Sequence, residues 1–423
     1  MSETVTDLRE HALALAAAAR RGARALAQTP SATKNRALTE LARRLTASES
    51  HLEEANRKDL EAGRAKGLSK ALLDRLAVTA AGLRAMAEGV LTIAGLPDPV
   101  GELLAEWVRP NGITISKVRV PIGVILFIYE SRPNVTVDAF ALCMKSGNAV
   151  ILRGGSEAFH SNQALLRVIR ESLRAGDVSE EAAQMVATTD RAAVGELLRL
   201  RDDIDLVIPR GGYDLIRRVT EESRIPVIKH YAGVCHTYVD ATADLNMAEE
   251  VCFNAKVQRP AICNAMETLL VHEAVAAKFL PAMAQRLLAA GVRLQGCPRT
   301  RALVPQSEAA TDESWRTEYL DLILNVKVVD SLEEAIAHVN TFGTQHSDAI
   351  ITLDEEAAER FAQEVDSAAV FVNCSTRLHD GGEFGFGAEV GISTDRIHAR
   401  GPMALPELTI YKYIVRGTGQ LRQ

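Results

Sequence analysis

Short apolar runs alternate with helical segments through the middle of the chain, and this alternation restricts the available folds more than any other feature. Runs of aliphatic and β-branched residues at 124–130, 148–153, 185–188 and 205–210 each precede a segment with helical spacing. Strands this short and apolar are typical of parallel sheets buried on both faces, because the helical crossovers cover those faces. The sequence therefore predicts a doubly wound α/β sheet.

A second α/β unit is predicted to start near Asp240. Ser331 and Glu334 have the spacing of a capping box, which predicts a helix from Ser331. The other predicted helices and strands of this unit are 247–257, 265–272, 273–290, 323–330, 347–353 and 368–374. The first 95 residues are rich in Ala, Leu, Arg and Glu with helical spacing, which predicts a helical layer ahead of both units.

A hairpin and the C-terminal tail have β-like sequences. Pro110-Asn111-Gly112 lies between two alternating runs and is predicted to form the hairpin turn. The tail 407–417 is expected to pair with this hairpin, in this chain or in a neighbour. An oligomerisation arm and an ordinary surface hairpin are both compatible with this pattern.

Charge and cysteine content exclude several classes of function. With 48 basic and 55 acidic residues, a net charge of -7 provides no footprint for nucleic acid or an anionic membrane. Because the N-terminal segment carries Glu3, Asp7 and Glu10, it fits neither a signal nor a transit peptide, and no apolar run is long enough to span a membrane. Six scattered cysteines without a C-x-x-C pair are typical of reduced thiols in a cytoplasmic protein, and a small-molecule substrate is expected.

Two of the predicted strands end in the same Arg-Gly-Gly turn. These turns are Arg153-Gly154-Gly155 and Arg210-Gly211-Gly212. In each, the glycine pair lies between strand and helix, where the backbone can approach a phosphate at the helix N-terminus. Neither turn matches G-x-G-x-x-G, and a tight turn alone would explain either equally well. The glycine-rich segment 384–391 follows no long strand and is predicted to be a loop.

Cys263 lies between an Arg-Pro pair and an asparagine, just ahead of an apolar run. Most cysteines considered without context are small buried side chains. Here Lys256 and Arg259 are close in sequence and Pro260 favours extended backbone, a setting that favours the thiolate. A nucleophile is therefore one interpretation, although the sequence does not single out a histidine partner. Zinc binding is disfavoured, since no ligand pairs have suitable spacing.

Long motifs in a constant order run through nearly the whole chain, among them "PIGVILFIYESRPNVTVDAFALCMKSGNAVILRGGSEA", "CFNAKVQRPAICNAMETLLVH" and "FGFGAEVGISTDRIHARGPMALPELTIYKY". In these motifs the chain resembles the aldehyde dehydrogenase superfamily and, within it, the gamma-glutamyl phosphate reductase family. The resemblance implies two doubly wound α/β domains and a small β oligomerisation arm. The implied boundaries are 1–104 and 121–238 for the dinucleotide-binding domain, 239–405 for the catalytic thiol domain, and 105–120 and 406–423 for the arm.

Carried over by position, the resemblance implies that Cys263 is the catalytic thiol. It also implies that the Asn134 amide, with the backbone N–H at the thiol position, forms the oxyanion hole. Arg153 falls where related enzymes carry a lysine at the adenosine ribose, and a fixed cation there favours NADPH over NADH. Glu318 falls where the family has a glutamate at the nicotinamide ribose, or else it is an ordinary surface acid. The implied cofactor contacts are Arg153, Gly154, Gly155, Glu157, Arg210, Gly211, Gly212 and Glu318.

The implied reaction is the NADPH-dependent reduction of L-glutamyl 5-phosphate to L-glutamate 5-semialdehyde through a cysteine thioacyl intermediate, the second step of proline biosynthesis from glutamate. Because the substrate carries a phosphate and an α-carboxylate, cations are expected around it. Arg132 and Arg259 are the candidates, with Glu130 for the α-amine, and each is equally compatible with a structural ion pair. A homo-oligomer and functional coupling to a glutamate 5-kinase are also expected.

Several positions depart from the patterns of the families. His230 stands where members that oxidise aldehydes carry a water-activating glutamate. The absence of that glutamate suits a reductase, because activated water would hydrolyse the thioester. Ala261 and Ile262 replace the more usual Gly and Val, and Tyr231-Ala232 replaces a Leu-Asp pair. Two other functions stay open, which are a coenzyme A-acylating aldehyde dehydrogenase and a catalytically silent relative acting as an oligomeric scaffold or redox-responsive thiol protein.

Overall fold

The computed structural model describes residues 7–229 and 231–422, and these form two compact units. The first unit contains 7–229, 385–391 and 403–422, and the second contains 231–384 and 392–402. The second unit thus begins ahead of residue 239, where the thiol domain was predicted to start. The functions assigned to the predicted domains stay predictions.

Five helices open the first unit, in agreement with the helical spacing of that region. The Asp7 side chain caps the first of them by accepting from the N–H groups of Arg9 and Glu10, and Thr79 caps the fifth in the same manner. Each helix with apolar periodicity buries one stripe, as in Ala12, Leu15, Ala16, Ala19 and Ala23 of the first. The helices are α1 (Leu8–Leu26), α2 (Ser31–Ala47), α3 (Glu49–Ala65), α4 (Lys70–Leu76) and α5 (Ala80–Gly95).

The first unit contains a four-stranded parallel sheet in the order β5-β4-β3-β6. Helices α1 and α8 cover one face through an apolar cluster that includes Leu15, Leu126 and Val194, and α6 and α7 pack on the other strand surface. Strand β5 spans Ala183–Met185, so the predicted strand at 185–188 was placed too far along the chain. The strands are β3 (Val124–Tyr129), β4 (Ala149–Arg153), β5 and β6 (Leu206–Arg210), and the helices are α6 (Pro133–Lys145), α7 (Phe159–Ala175), α8 (Ala192–Leu197) and α9 (Tyr213–Glu222).

The second unit contains a seven-stranded sheet in the order β10-β9-β11-β8-β7-β12-β13, and every pairing in it is parallel. Helices α10 and α11 pack on one side, while α13 and α14 pack on the other. The strands are β7 (Cys235–Val239), β8 (Met266–His272), β9 (Arg293–Gly296), β10 (Glu308–Ala309), β11 (Ile323–Val329), β12 (Ser347–Ile351) and β13 (Ala369–Val372). The helices are α10 (Leu245–Val257), α11 (Glu273–Ala289), α12 (Pro298–Leu303), α13 (Leu332–Phe342) and α14 (Glu355–Glu364). Both sheets confirm the doubly wound fold class.

Two details of the second unit differ from the sequence prediction. Strand β7 lies ahead of Asp240, so the unit does not start there as predicted. The Ser331 side chain accepts from the N–H of Glu334, as a capping box requires. The Glu334 carboxylate, however, accepts from the N–H of Asp330 and not from that of Ser331. The helix start is confirmed, and the reciprocal half of the box has shifted by one residue.

A three-stranded antiparallel sheet with the order β1-β2-β16 completes the first unit. Its strands are β1 (Leu103–Val108), β2 (Thr114–Pro121) and β16 (Thr409–Arg416), which confirms that the tail pairs with the hairpin of this chain. The second unit also has a short pair, β14 (Ile392–Ser393) and β15 (Gly401–Pro402). The segment 384–391 has neither helix nor strand, as predicted. Among the described residues, no single helix has the length and apolar composition of a membrane span, although α4 and α5 together reach them across a 51° bend.

Candidate active site

The predicted cofactor residues of the first unit gather at the carboxyl edge of its sheet. The chain runs from β3 to β4 to β5 in one direction and then places β6 on the other side of β3. Open α/β sheets bind ligands where the strand order reverses in this way. The segments after β3, β4 and β6 bring Glu130, the Arg153 turn and the Arg210 turn to this edge. The N–H of Glu130 donates to the carbonyl of Arg210 at 3.1 Å, which ties two of the segments together.

Three of the four glycines in the two turns have close neighbours in the protein. A Cβ on Gly154 would lie 2.1 Å from the side-chain amide of Asn162, and one on Gly155 would lie 2.8 Å from the Glu157 carboxylate. A Cβ on Gly211 would meet the Glu130 carboxyl group at 2.6 Å. Packing therefore accounts for Gly154, while the carboxyl groups near Gly155 and Gly211 lie at the ends of flexible side chains, and Gly212 has no such close contact.

Arg153 and Glu157 are held by different kinds of partner. The Arg153 guanidinium donates to the carbonyls of Gly154 at 3.0 Å and Thr189 at 3.4 Å, and burial lowers its pKa. The Glu157 carboxylate accepts from the hydroxyl of Ser131 at 2.8 Å. Burial would raise the pKa of Glu157, but hydrogen bonds from its own N–H and from the neighbouring serines outweigh burial and lower it. Glu157 is therefore a fixed, ionised acceptor, which suits a sugar hydroxyl.

A cavity of about 610 Å³ adjoins Glu157 in the first unit. Its walls come from α3, from the segment after β4 and from the segment after β5, and include Lys66, Ser156, His160 and Thr188. A volume of this size is typical of a small-molecule or cofactor pocket. Sequence reasoning missed Lys66, because it lies on a helix about 90 residues before Glu157 and carries no motif of its own.

Asn134 is exposed on the first turn of α6. Its side-chain Nδ2 donates to Oδ2 of Asp138 at 3.0 Å, a contact that the sequence analysis did not anticipate although the spacing of four residues on a helix permits it. The amide is therefore oriented by a carboxylate of its own helix.

Arg132, just before α6, belongs to a cluster of cations. Burial lowers the pKa of Arg132, the nearby guanidinium groups of Arg75 and Arg210 lower it further, and Glu130 opposes them. Arg75 comes from α4 and was missed by the sequence analysis. The mutual lowering of the pKa shows that nearby carboxylates do not balance the positive charge of this cluster. The cluster is therefore suited to an anionic ligand.

Cys263 is half-buried on an irregular segment between α10 and β8, at the amino edge of the second sheet. The thiol of Cys235 donates to the carbonyl of Cys263 at 3.1 Å. The next residue, Asn264, donates to the carbonyl of His379 at 3.0 Å, and its own carbonyl accepts from the Thr376 hydroxyl at 2.7 Å. The backbone at the thiol and directly after it is thereby fixed.

Gly233 joins the segment of Cys263 to Glu318. A Cβ at Gly233 would lie 1.8 Å from the carbonyl oxygen of Cys263, so only glycine fits. The N–H of Gly233 donates to Oε1 of Glu318 at 2.8 Å. Burial raises the pKa of Glu318, and the hydrogen bond from Gly233 opposes that rise. Glu318 is thus held beside the thiol segment.

Of the two cations that the sequence suggested beside the thiol, Lys256 is directed away from it. Lys256 is buried and donates to Oε2 of Glu267 at 2.7 Å, because the last turn of α10 directs it into the protein. Arg377 also lies near Cys263: burial and the charge of Arg259 lower the pKa of this guanidinium, and Cys263 opposes that fall. Arg377 donates to Gln258 and Asn264, which lie on either side of the thiol segment. Sequence reasoning missed Arg377, which follows Cys263 by more than a hundred residues.

The other thiols differ from Cys263 in their surroundings. Cys143, Cys235 and Cys252 are buried, and burial raises their pKa values. Cys297 caps α12; burial acts to raise its pKa, but hydrogen bonds from Thr300 and nearby backbone groups lower it overall. Among the residues described, no cluster of three His, Cys, Asp or Glu side chains could hold a metal ion.

The departures noted in the sequence fall close to the thiol segment. Ala261 is exposed and Ile262 half-buried just before Cys263, and Tyr231 is exposed with Ala232 half-buried just before Gly233. His230 lies outside the described residues.

The chain belongs to the aldehyde dehydrogenase family, whose profile matches residues 4–301 and 300–392. It is 56% identical to the gamma-glutamyl phosphate reductase of Moorella thermoacetica over 405 residues, covering 96% of this chain and 97% of that one. It is 52% identical to the gamma-glutamyl phosphate reductase of Thermodesulfovibrio yellowstonii over 99% of this chain and 100% of that one. The crystal structure of gamma-glutamyl phosphate reductase from Thermotoga maritima matches with a TM-score of 0.96 and 47% identity, covering 98% of this chain and 100% of that one. An engineered glycolyl-CoA reductase with bound NADP⁺, only 15% identical, shares the fold with a TM-score of 0.64 over 95% of this chain and 96% of that one.

Proposed function

We propose that the protein reduces L-glutamyl 5-phosphate to L-glutamate 5-semialdehyde and phosphate with NADPH, in the second step of proline biosynthesis from glutamate. The observation that carries this proposal is the near end-to-end identity of 56% with a protein of that activity. The half-buried thiol between fixed backbone segments, with Arg377 close by, supports the chemistry that such a reduction requires.

The chemistry begins at Cys263. Its thiolate attacks the acyl carbon, the carbon–sulfur bond forms, and the carbon–oxygen bond to phosphate breaks, so that phosphate leaves and a thioester remains. Arg377 and Arg259 favour the thiolate electrostatically. When bound, the nicotinamide supplies a hydride to the thioester carbon. The Asn134 amide donates to the oxygen that becomes negative, an interaction worth about 3 kcal/mol in comparable sites. Collapse of the resulting thiohemiacetal releases the semialdehyde and restores the thiol.

We assign the cofactor to the carboxyl edge of the first sheet and the adjoining cavity. The cavity of about 610 Å³ has room for the adenosine part, with Glu157 as an acceptor for a ribose hydroxyl. Lys66 and Arg153 supply positive charge that suits the 2′-phosphate of NADPH. Gly154, Gly155, Arg210, Gly211 and Gly212 form the turns of this edge, and Glu318 is assigned to the nicotinamide ribose.

We assign substrate recognition to charged residues that lie just before α6 and just before the thiol segment. The cluster of Arg132 with Arg75 and Arg210 suits a phosphate or carboxylate, and Glu130 within it suits an amine. Arg259 is exposed just before the thiol segment and suits an incoming anion. A cytoplasmic location and functional coupling to a glutamate 5-kinase are part of the same proposal, and six free cysteines agree with a reducing compartment.

A homo-oligomer is proposed through the three-stranded sheet. Strand β16 pairs only with β2 among the described strands, and Ile410, Tyr411, Tyr413 and Val415 on it are exposed. An apolar edge strand of this kind is a template for pairing with a second copy. The molar mass in solution, measured by light scattering, tests this with Val415→Lys, which we expect to shift the protein toward monomer.

The proposed activity is tested by replacing the thiol. We expect Cys263→Ser and Cys263→Ala to abolish the phosphate-dependent reduction of NADP⁺ by glutamate semialdehyde. Cys297→Ser is the matched control, since hydrogen bonds lower the pKa of that half-buried thiol and its observed role is to cap a short helix. Turnover that survives both changes at Cys263 contradicts the proposal, strict dependence on coenzyme A indicates the acylating alternative, and an inert wild-type protein indicates a silent relative.

A further inference from the structure

Asp138 lies one turn after Asn134 on α6, and its Oδ2 accepts a hydrogen bond of 3.0 Å from Nδ2 of Asn134. We propose that Asp138 is a positioning residue, whose carboxylate fixes the direction of the Asn134 amide so that an N–H faces the reacting oxygen. The inference rests on the role of Asn134 in the proposed function. It adds a residue that the reaction needs but that does not touch the substrate.

The physical basis is the difference between the two ends of an amide. The NH₂ and C=O ends have nearly the same shape, so packing alone does not decide which way an exposed asparagine faces. An ionised carboxylate only accepts hydrogen bonds, so it binds the NH₂ end of Asn134 and repels the C=O end. One N–H of Nδ2 then donates to Asp138 and the second remains to donate elsewhere. If the amide were reversed, an oxygen would take the place of Nδ2 and would repel a developing oxyanion.

The surroundings of Asp138 make its ionisation sensitive to pH. Burial raises the pKa of Asp138 to about 6, while the hydrogen bond from Asn134 and the charge of Arg210 at the end of β6 oppose that rise. Among the described residues, Arg210 is the charged group of another element that acts on it. Below this pH the carboxyl group is protonated and can itself donate, so it no longer selects one direction of the amide.

The raised pKa of Asp138 also distinguishes a positioning role from a structural role. A carboxyl group whose pKa is raised in the folded protein stabilises the fold below its ordinary pKa, and this contribution is lost as the pH rises through the raised value. At neutral pH the ionised Asp138 therefore costs stability. We expect Asp138→Asn to melt no lower than the wild type, whereas a structural role predicts a lower melting temperature.

The test is a double-mutant cycle in the full-length enzyme. We expect Asn134→Ala to lower kcat about 100-fold, and Asp138→Asn to lower it about 2-fold with the KM of the acyl substrate unchanged, because an amide that selects neither direction leaves Asn134 reversed in about half of the molecules. Since Asp138 acts through Asn134, adding Asp138→Asn to Asn134→Ala should leave kcat unchanged. Glu221→Gln is the control, because Glu221 also accepts a bond from a residue four positions earlier, Arg217, on helix α9.

The results that overturn the inference are distinct from those that overturn the function. An unchanged kcat in Asp138→Asn, or a loss of kcat that persists undiminished in the Asn134→Ala background, rules out positioning through Asn134. The pH profile provides a check that needs no change at Asp138. The wild-type kcat should fall below about pH 6, and this fall should weaken in Asn134→Ala; an equal fall in both contradicts the inference. A wild-type enzyme without activity overturns the proposed function together with this inference, whereas an active wild type with an unaffected Asp138→Asn variant overturns the inference alone.

Discussion

The backbone N–H of Gly233 donates a hydrogen bond of 2.8 Å to Oε1 of Glu318. Gly233 is also in contact with the carbonyl of Cys263, where a Cβ would lie only 1.8 Å away. One residue without a side chain therefore holds both the proposed nucleophile and the acid assigned to the nicotinamide ribose. Any displacement of Gly233 should move both groups together.

Gly233→Ala should disable the enzyme and destabilise it. Because the new methyl group must push the thiol segment away, we expect kcat to fall at least about 100-fold and the free energy of unfolding to fall by about 2–4 kcal/mol. Steady-state kinetics and urea unfolding measure the two effects. The control is Gly89→Ala in α5, where nothing lies within 4 Å and about 0.5–1 kcal/mol of stabilisation is expected. A fully active Gly233→Ala enzyme would show that the contact does not constrain the thiol.

Two substitutions at Glu318 separate its two proposed roles. Glu318→Gln keeps an oxygen that can accept from Gly233 but loses the charge that strengthens a bond to the ribose, so NADP⁺ binding should weaken about 10-fold. Glu318→Ala removes the acceptor for the N–H of Gly233 as well as the proposed acceptor for the ribose. It should therefore also change the rate at which iodoacetamide alkylates Cys263. Calorimetric NADP⁺ binding and the alkylation rate are the measurements. Wild-type affinity in Glu318→Gln would leave this residue with the Gly233 contact alone.

The sheets could be predicted from the sequence because most of their strands have a local apolar pattern. Every residue of β3 is buried, so the strand appears as a continuous apolar run. Strand β7 was missed because two of its five residues, His236 and Thr237, are polar yet fully buried. The N–H and Nδ1 of His236 are bonded to Asp348, which is 112 residues away along the chain. A partner at that distance leaves no local pattern, so the polar residues broke the apolar run.

The candidate residues that belong to motifs were proposed from the sequence, and those that are placed by tertiary contacts were missed. Cys263, Asn134 and Glu318 were identified through motif positions, and the fold brings the last of these to the thiol segment only by way of Gly233. Arg377 and Asp138 have no motif. The sequence also does not show at which edge of its sheet the thiol lies. Ligand sites of such sheets are expected at the carboxyl ends of the strands, whereas Cys263 lies at the amino edge.

Arg377 should control the reactivity of the thiol. Because a nearby cation favours the thiolate, Arg377→Met should slow the alkylation of Cys263 at neutral pH about 10-fold and move the pH of half-maximal alkylation upward. Arg377→Lys keeps the charge but loses the fork that reaches Gln258 and Asn264, so an intermediate rate is expected. Arg360→Met removes a half-buried arginine of α14 that pairs with Glu333 and Glu364, and serves as the control. Alkylation that is equally fast in all variants would remove Arg377 from the site.

The buried pair of Lys256 and Glu267 should give opposite pH dependences when either partner is removed. Burial raises the pKa of Glu267 to about 7 and lowers that of Lys256, so each group alone would prefer its neutral form. Lys256→Met removes the cation that opposes the rise at Glu267, so the pKa of this carboxyl should climb further. The variant should then be nearly as stable as the wild type at about pH 6 and should lose about 3–4 kcal/mol as the pH rises to about 9.

Glu267→Gln leaves a buried amine whose pKa is lowered, so its stability should instead be lost as the pH falls toward about 6. The glutamine can still accept from the N–H of Leu320, as Glu267 does at 3.2 Å, so the loss reports the charge and not this contact. The double substitution Lys256→Met with Glu267→Gln should remove most of the pH dependence, because neither buried group then titrates. Urea midpoints at both pH values measure all three variants. Losses that are equal at the two pH values would mean that the pair is held by packing and not by its charges.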